Sequence, residues 1–168
     1  SVSRGLGDVY KRQVIPNYNG MKYLAECMTS LCREQQNAPG YEVLIIDNAS
    51  VDGSVEYLQK EWCGEGVRLI SLPENTGFCH AVNLGIREAK TPYVILLNND
   101  TKAEAGFVRG LYDAIRENEK IFSVSAKMLM WDRPELIDDA GDRYCVLGWA
   151  YSRGKGRPAA DYDKSVPV

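Results

Sequence analysis

The chain has 168 residues, 45% of them apolar, with 23 acidic against 20 basic side chains and a net charge of -3. This length sets one domain as the default and supplies enough apolar material for a buried core. No long basic run marks a nucleic-acid surface, so no nucleic-acid partner is expected. The longest apolar run falls far short of the ~20 residues that a membrane span needs. One histidine, and five cysteines without a C-x-x-C pair, speak against zinc. The odd cysteine count and the lack of a secretory leader point to reduced thiols and a cytoplasmic location.

Residues 1–13, SVSRGLGDVYKRQ, are polar where a first buried strand would need apolar residues. They read as a foreign leader or a disordered arm and are set aside from the fold. Val14-Ile15 then begins a strand that ends at Pro16-Asn17-Tyr18-Asn19-Gly20, with Asn19 placed to cap the next helix. Leu24, Met28, Leu31 and Cys32 fall on one face of that helix. A second strand, residues 41–46, ends in Asp47-Asn48-Ala49-Ser50, and Val55, Leu58 and Trp62 mark a short helix. The third strand, residues 67–72, stops at Pro73. After the loop Glu74-Asn75-Thr76-Gly77, Phe78, Val82, Ile86 and Ala89 line one face of a helix. Residues 93–97, Tyr-Val-Ile-Leu-Leu, read as a strand buried on both faces. That strand ends abruptly in Asn98-Asn99-Asp100. Phe107, Leu111 and Ile115 mark a further helix, and residues 121–130 contain a fifth strand.

Beyond Met130 the pattern dissolves. Asp138, Asp139 and Asp142 sit in a turn-rich segment read as a solvated hairpin loop, and residues 144–151 as a short strand. Residues 151–168 read as a flexible loop. The domain boundaries are therefore 14–150 for the folded part and 151–168 for a tail leading towards a further region.

Strand and helix alternate throughout 14–130, which predicts an α/β fold with a mostly parallel sheet and helices on both faces. Right-handed crossovers bring the carboxyl ends of the strands to one rim, where α/β folds bind ligands. That rim collects Asn17, Tyr18, Asp47, Asn48, Asn75, Asn98, Asn99 and Asp100. Asp100 offers oxygen to a hard cation; its plainer role is to cap a helix starting near Ala103-Glu104. No G-x-G-x-x-G follows the first strand, and no G-x-x-x-x-G-K occurs. His80, the single histidine, reads as a surface residue. The remaining chemistry is amides, carboxylates and one tyrosine. Amides and carboxylates read nucleobase edges, and a carboxylate accepts well from the ring N–H of uracil or thymine. Tyr18 is placed to stack on such a ring, and a cation at Asp100 would neutralise a diphosphate.

The segments VIPNYNG, IIDNASVDGS, ENTGFCHAVNLGI and YVILLNNDT together resemble family 2 glycosyltransferases of the GT-A fold. The likeness is closest to the rhamnosyltransferase-like group that builds bacterial surface polysaccharides. It implies a GT-A, Rossmann-like sheet that is incomplete at the C-terminus. It also implies transfer of a sugar, rhamnose in the group's own chemistry, from a UDP- or dTDP-sugar to a glycan or lipid-linked acceptor, with inversion. By this resemblance Pro16, Asn17 and Tyr18 line the base and ribose pocket, and Asp47 contacts the pyrimidine N–H. Asn75, Gly77 and Asn83 close over the nucleotide. Asn98, Asn99 and Asp100 occupy the D-x-D position, with Asp100 facing Mg²⁺ or Mn²⁺. Asn98 stands where many relatives carry Asp, which predicts weaker metal affinity. The acidic general base of the family has no counterpart here and is expected beyond Val168. The full-length enzyme is expected to work in the cytoplasm, peripherally at the inner face of the membrane. Two other readings compete: a nucleotide-binding fragment without catalysis, and a sugar nucleotidyltransferase, whose Gly- and Arg-rich first loop is missing.

Overall fold

A computed structural model describes residues 11–37, 41–64, 66–164 and 166. They fall into two units, residues 1–106 and 107–168.

The first unit carries the parallel sheet. Its strands are β1 (Lys11–Asn17), β2 (Tyr41–Asp47), β3 (Val67–Ser71) and β4 (Tyr93–Leu96), in the order β3-β2-β1-β4. All pairings are parallel, and β1 and β2 run in register from Lys11 opposite Tyr41 to Asn17 opposite Asp47. The crossovers are the helices α1 (Met21–Asn37), α2 (Ser54–Glu61) and α3 (Phe78–Ala89).

Side chains alternate across a strand, and here the alternation separates two buried layers. Val14, Leu44 and Ile46 pack with Ala81 and Ala89 of α3. Gly85 lets that helix approach, because a Cβ there would overlap Val14 and stand 3.2 Å from Ile46 Cγ1. The alternate residues Gln13, Ile15, Val43 and Ile45 are buried on the other face, where α1 contributes Leu24, Cys27, Met28 and Leu31. Tyr41 belongs to this second layer and donates its hydroxyl to Gln13 Oε1. Burial, and then the nearby Cys27, Glu34 and Cys32, push the Tyr41 phenol well above its usual range.

Several expectations change at this level. Residues 11–13 are not outside the fold: Lys11, Arg12 and Gln13 form the first half of β1 and are buried. The Arg12 guanidinium donates to Ala89 O at 2.6 Å and Glu88 O at 3.0 Å, and it pairs with Glu42. A buried cation is tolerated because the C-terminal carbonyls of α3 and one carboxylate receive it. Residues 1–10, the rest of the proposed leader, lie outside the described residues.

The strand at 93–96 is an edge strand of this sheet rather than one buried on both faces; Leu96 is 53% exposed. The buried face of α3 is Ala81, Val82, Gly85 and Ala89, which leaves Phe78 and Ile86 exposed. Asn19 does not cap α1. It has φ 51° and accepts from Val51 N at 2.9 Å. Asp52 caps α1 instead, accepting from Met21 N at 2.9 Å, and its other oxygen accepts from Ser54 N at 3.0 Å at the start of α2.

The second unit holds α4 (Phe107–Ile115), an antiparallel pair β5 (Met128–Met130) and β6 (Arg133–Asp139), and a hairpin β7 (Asp142–Tyr144) and β8 (Ala150–Ser152). The expected fifth strand shrinks to the three residues of β5 and is not part of the parallel sheet. The single strand expected at 144–151 is instead the turn of this hairpin and the start of β8, with Cys145 N donating to Trp149 O. The described residues beyond 150 hold more structure than a loop. Ile137 N donates to Arg157 O, Gly156 N to Ile137 O, and Ala159–Tyr162 is a 3-10 turn. Asp138 pairs with Lys155 at 3.0 Å, and Asp139 Oδ1 accepts from Gly141 N at 3.0 Å. The folded part is therefore two units, not one domain over 14–150 followed by a loop.

Among the described residues, no helix is long and apolar enough to cross a membrane. All five cysteines are unpaired.

Candidate functional site

The carboxyl ends of β1, β2 and β4 and the N-terminus of α3 enclose an open cleft of about 330 Å³. Its walls are Pro16, Asn17, Tyr18, Asn48, Asn75, Phe78, Ala81, Asn98, Asn99 and Asp100. Eight of the residues expected at a site are thus brought together: Pro16, Asn17, Tyr18, Asn48, Asn75, Asn98, Asn99 and Asp100. Asn83 and Gly77 do not line it; Asn83 lies exposed on α3, and Gly77 precedes that helix with φ 85°.

Asp47 does not line the cleft. Its side chain is fully buried and its oxygens are occupied. Oδ2 accepts from Asn17 Nδ2 at 2.7 Å and Ser50 Oγ at 2.6 Å, and Oδ1 accepts from Ser50 N at 2.9 Å. These three bonds hold the carboxylate beneath the cleft and outside its wall. Its neighbour Asn48 lines the cleft instead. Asn48 Nδ2 donates to Asn75 Oδ1 at 2.8 Å, while its Oδ1 accepts from Thr76 N at 2.9 Å and Thr76 Oγ1 at 3.1 Å. Asn75 Oδ1 also accepts from Gly77 N at 2.9 Å. The end of β2 therefore latches the loop that leads into α3.

Phe78 was missed because it fitted the apolar helix pattern. It is 61% exposed, and Tyr18 is 52% exposed, so each offers an open aromatic ring to the cleft. The signal that could have found Phe78 is its place in the first turn of α3, directly after the polar loop at the rim.

Asp100 is exposed and caps no helix: α4 begins only at Phe107. The chain between them is clamped from α1. Ser30 Oγ accepts from Ala103 N at 3.0 Å, and Glu34 Oε1 from Gly106 N at 2.9 Å. Cys27, one turn earlier on the same face, is pushed up to about 11 by burial, with a Thr101 hydrogen bond opposing and the charge of Asp100 adding to the shift. A free carboxylate on a well-held turn can bind a divalent cation. Among the described residues, however, no three His, Cys, Asp or Glu side chains gather to hold one. The donor set fits Mg²⁺ or Mn²⁺ only as the kind of site that keeps one carboxylate and takes its other oxygens from substrate phosphates and water.

A family model for glycosyl transferase family 2 matches residues 13–135. The chain belongs to this family. A relative named for teichuronic acid biosynthesis, the glycosyltransferase TuaG of Bacillus subtilis strain 168, is 29% identical over 118 residues, which is 70% of this chain and 46% of TuaG. The chain therefore spans less than half of that relative's length. Among solved structures, residues 1–349 of S. aureus TarS in complex with UDP superpose with TM-score 0.58 and 21% identity, over 65% of this chain and 32% of that one. The mannosyltransferase PcManGT of Pyrobaculum calidifontis, in complex with GDP-Man and Mn²⁺, gives TM-score 0.58 and 20% identity, over 64% and 32%. These likenesses establish the GT-A fold, with its mostly parallel sheet and flanking helices, and agree with the family resemblance carried by the four motifs.

Proposed function

We propose that this chain is the donor-binding part of a glycosyltransferase, and that its cleft holds the nucleoside diphosphate of a sugar donor. The observation that carries the reading is the cleft itself. Two open aromatic rings, Tyr18 and Phe78, stand with a set of amides and one free carboxylate where the strands end. An aromatic face stacks any base, amides meet ribose and base edges, and Asp100 faces the charge. A divalent cation bound there would supply charge neutralisation for a departing diphosphate. The residues of this chain would hold and orient the donor: Asn48 and Asn75 by fixing the loop before α3, Asn99 and Asn17 by fixing the turn that bears Asp100.

The donor we infer is a UDP- or dTDP-sugar, with rhamnose among the sugars to be tested and inversion as the stereochemical course. UDP in the TarS complex supports this, and GDP-Man in PcManGT opposes it. Burial of Asp47 takes its carboxylate out of the cleft wall, so we infer that Asn48, which lines the cleft, selects the base. The acceptor is a glycan or lipid-linked polymer of the cell surface, as the name of TuaG suggests. The base that deprotonates its hydroxyl lies outside the cleft residues described above. A full-length enzyme at the inner face of the membrane suits such an acceptor.

Calorimetry of this chain with UDP, TDP, ADP and GDP, each with and without Mn²⁺, tests the reading. UDP and TDP should bind, more tightly with Mn²⁺. Absence of binding by all four would overturn the donor-site assignment, and equal affinities would overturn the pyrimidine preference. A second reading, a nucleotide-binding fragment with no transfer, differs only in turnover of UDP- or TDP-sugar with glycan acceptors.

A further inference from the structure

One hydrogen-bonded chain crosses the three strand ends beneath the cleft. Asn99 Nδ2 donates to Asn17 Oδ1 at 2.6 Å, and Asn17 Nδ2 donates to Asp47 Oδ2 at 2.7 Å. Ser50 completes it. Its Oγ donates to Asp47 Oδ2 at 2.6 Å, and accepts from Asn19 N at 2.9 Å and Asn17 Nδ2 at 3.2 Å. Gly20 seals the chain from above, since a Cβ there would overlap both Asn99 Nδ2 and Asn17 Oδ1.

We propose that Asp47 is the buried root of this chain, sets its direction, and so acts as the positioning residue for the Asn98-Asn99-Asp100 turn. The argument is one of polarity. An ionised carboxylate only accepts, so Asn17 must turn its amide nitrogen towards Asp47. The amide oxygen of Asn17 then faces residue 99, and residue 99 must donate. This accounts for an amide rather than a carboxylate at position 99, in a turn where a second carboxylate would otherwise strengthen a cation site. Asn99 is the terminal link of the chain, and Asp100 alone is left to face the diphosphate and its cation.

The same logic specifies a rescue. In Asp47→Asn, residue 47 can donate where it formerly accepted. Asn17 can then flip, accept from residue 47 and donate to residue 99, provided residue 99 accepts. Ser50 Oγ still accepts from Asn19 N and from one amide, and donates to the other partner. The double variant Asp47→Asn/Asn99→Asp therefore runs the whole chain in reverse with every donor matched. Asn99→Asp alone leaves two acceptors facing each other whichever way Asn17 turns, whereas Asp47→Asn alone is met by flipping Asn17 and Asn99 together.

Four proteins test this: the parent chain, Asp47→Asn, Asn99→Asp and the double variant. Each is measured by urea denaturation without ligand, and by calorimetry with UDP in the presence and absence of Mn²⁺. Asn99→Asp should lower the urea midpoint and weaken Mn²⁺-supported UDP binding by roughly tenfold or more, the cost of a mismatched hydrogen bond to a charged group, and Asp47→Asn should do so by less, because both amides can turn. The double variant should recover most of the midpoint and bind UDP within about threefold of the parent. Gly20→Ala, which wedges the chain without changing a polar group, should weaken UDP binding in the parent and in the double variant alike. If Asn99→Asp behaves like the parent in both measurements, or the double variant is no better than the sum of its singles, the proposal is wrong. The ligand arm rests on the nucleotide-cleft reading; if the parent itself binds no UDP, that reading falls, and coupling in the denaturation arm alone decides the direction of the chain.

Discussion

Asn48 Nδ2 stands 2.8 Å from Asn75 Oδ1 and donates to it, joining the end of β2 to the loop before α3. With the two bonds from Thr76 to Asn48 Oδ1, this makes Asn48 the latch of one cleft wall. Replacing it with alanine removes three hydrogen bonds and should cost about 1–3 kcal/mol of stability. UDP binding should weaken by roughly tenfold as the loop loses its register. Asn48→Asp keeps the acceptor for Thr76 but sets an oxygen against Asn75 Oδ1, so it should fall between alanine and the parent. Calorimetry and urea denaturation on both variants check this; an alanine variant with normal UDP affinity would remove the latch from the site.

Asp100 is exposed and begins no helix, so its carboxylate has no part in holding the fold. Asp100→Asn should leave thermal stability within about 0.5 kcal/mol of the parent, as for other exposed substitutions. The same change should abolish the enhancement of UDP binding by Mn²⁺. Titrations at several Mn²⁺ concentrations read this directly, and an undiminished enhancement would place the cation elsewhere.

Asp52 caps two helices at once, with Met21 N on one oxygen and Ser54 N on the other. Slight burial pushes its carboxyl up, but hydrogen bonds from Ser54, Met21 N and neighbouring backbone outweigh it and hold the group below its ordinary value. A depressed carboxylate contributes stability that is complete above the unfolded value, near pH 3.9, and is lost as pH falls through the lower folded value. Asp52→Ala should therefore cost about 1 kcal/mol at neutral pH, a typical loss for one cap. Its stability should also fall less steeply than the parent's below about pH 4. Parallel acid titrations followed by circular dichroism would show the two curves converging; parallel curves would assign the acid sensitivity to other groups.

Arg12 ties β1 to the last turn of α3 through Ala89 O and Glu88 O, and it pairs with Glu42. Arg12→Ala strands a largely buried Glu42 and uncaps two carbonyls, so a loss of about 3 kcal/mol is expected. Arg12→Lys keeps the charge but not the planar fork that reaches both sets of partners, and should recover only part of it. Urea denaturation decides the point. A loss below about 0.5 kcal/mol, as for an ordinary surface substitution, would mean that residues 11–13 contribute little to the sheet.

The alternation of apolar strands with amphipathic helices, and the four polar strand ends, were enough to predict a parallel sheet with helices on both faces and a polar site along one rim. Both follow from local rules: side-chain period within an element, and handedness between elements. Position along the chain could not say which member of an adjacent pair faces the cleft. Asp47 and Asn48 are both polar and both end β2, yet Asp47 is buried beneath Asn17 and Ser50 while Asn48 lines the cleft. Arg12 and Gln13 looked unfit for a central strand because their partners, Tyr41, Glu42 and the end of α3, lie 28 to 77 residues away. A polar side chain is acceptable inside a protein when its hydrogen bonds are met, and only the folded arrangement of distant segments determines whether they are.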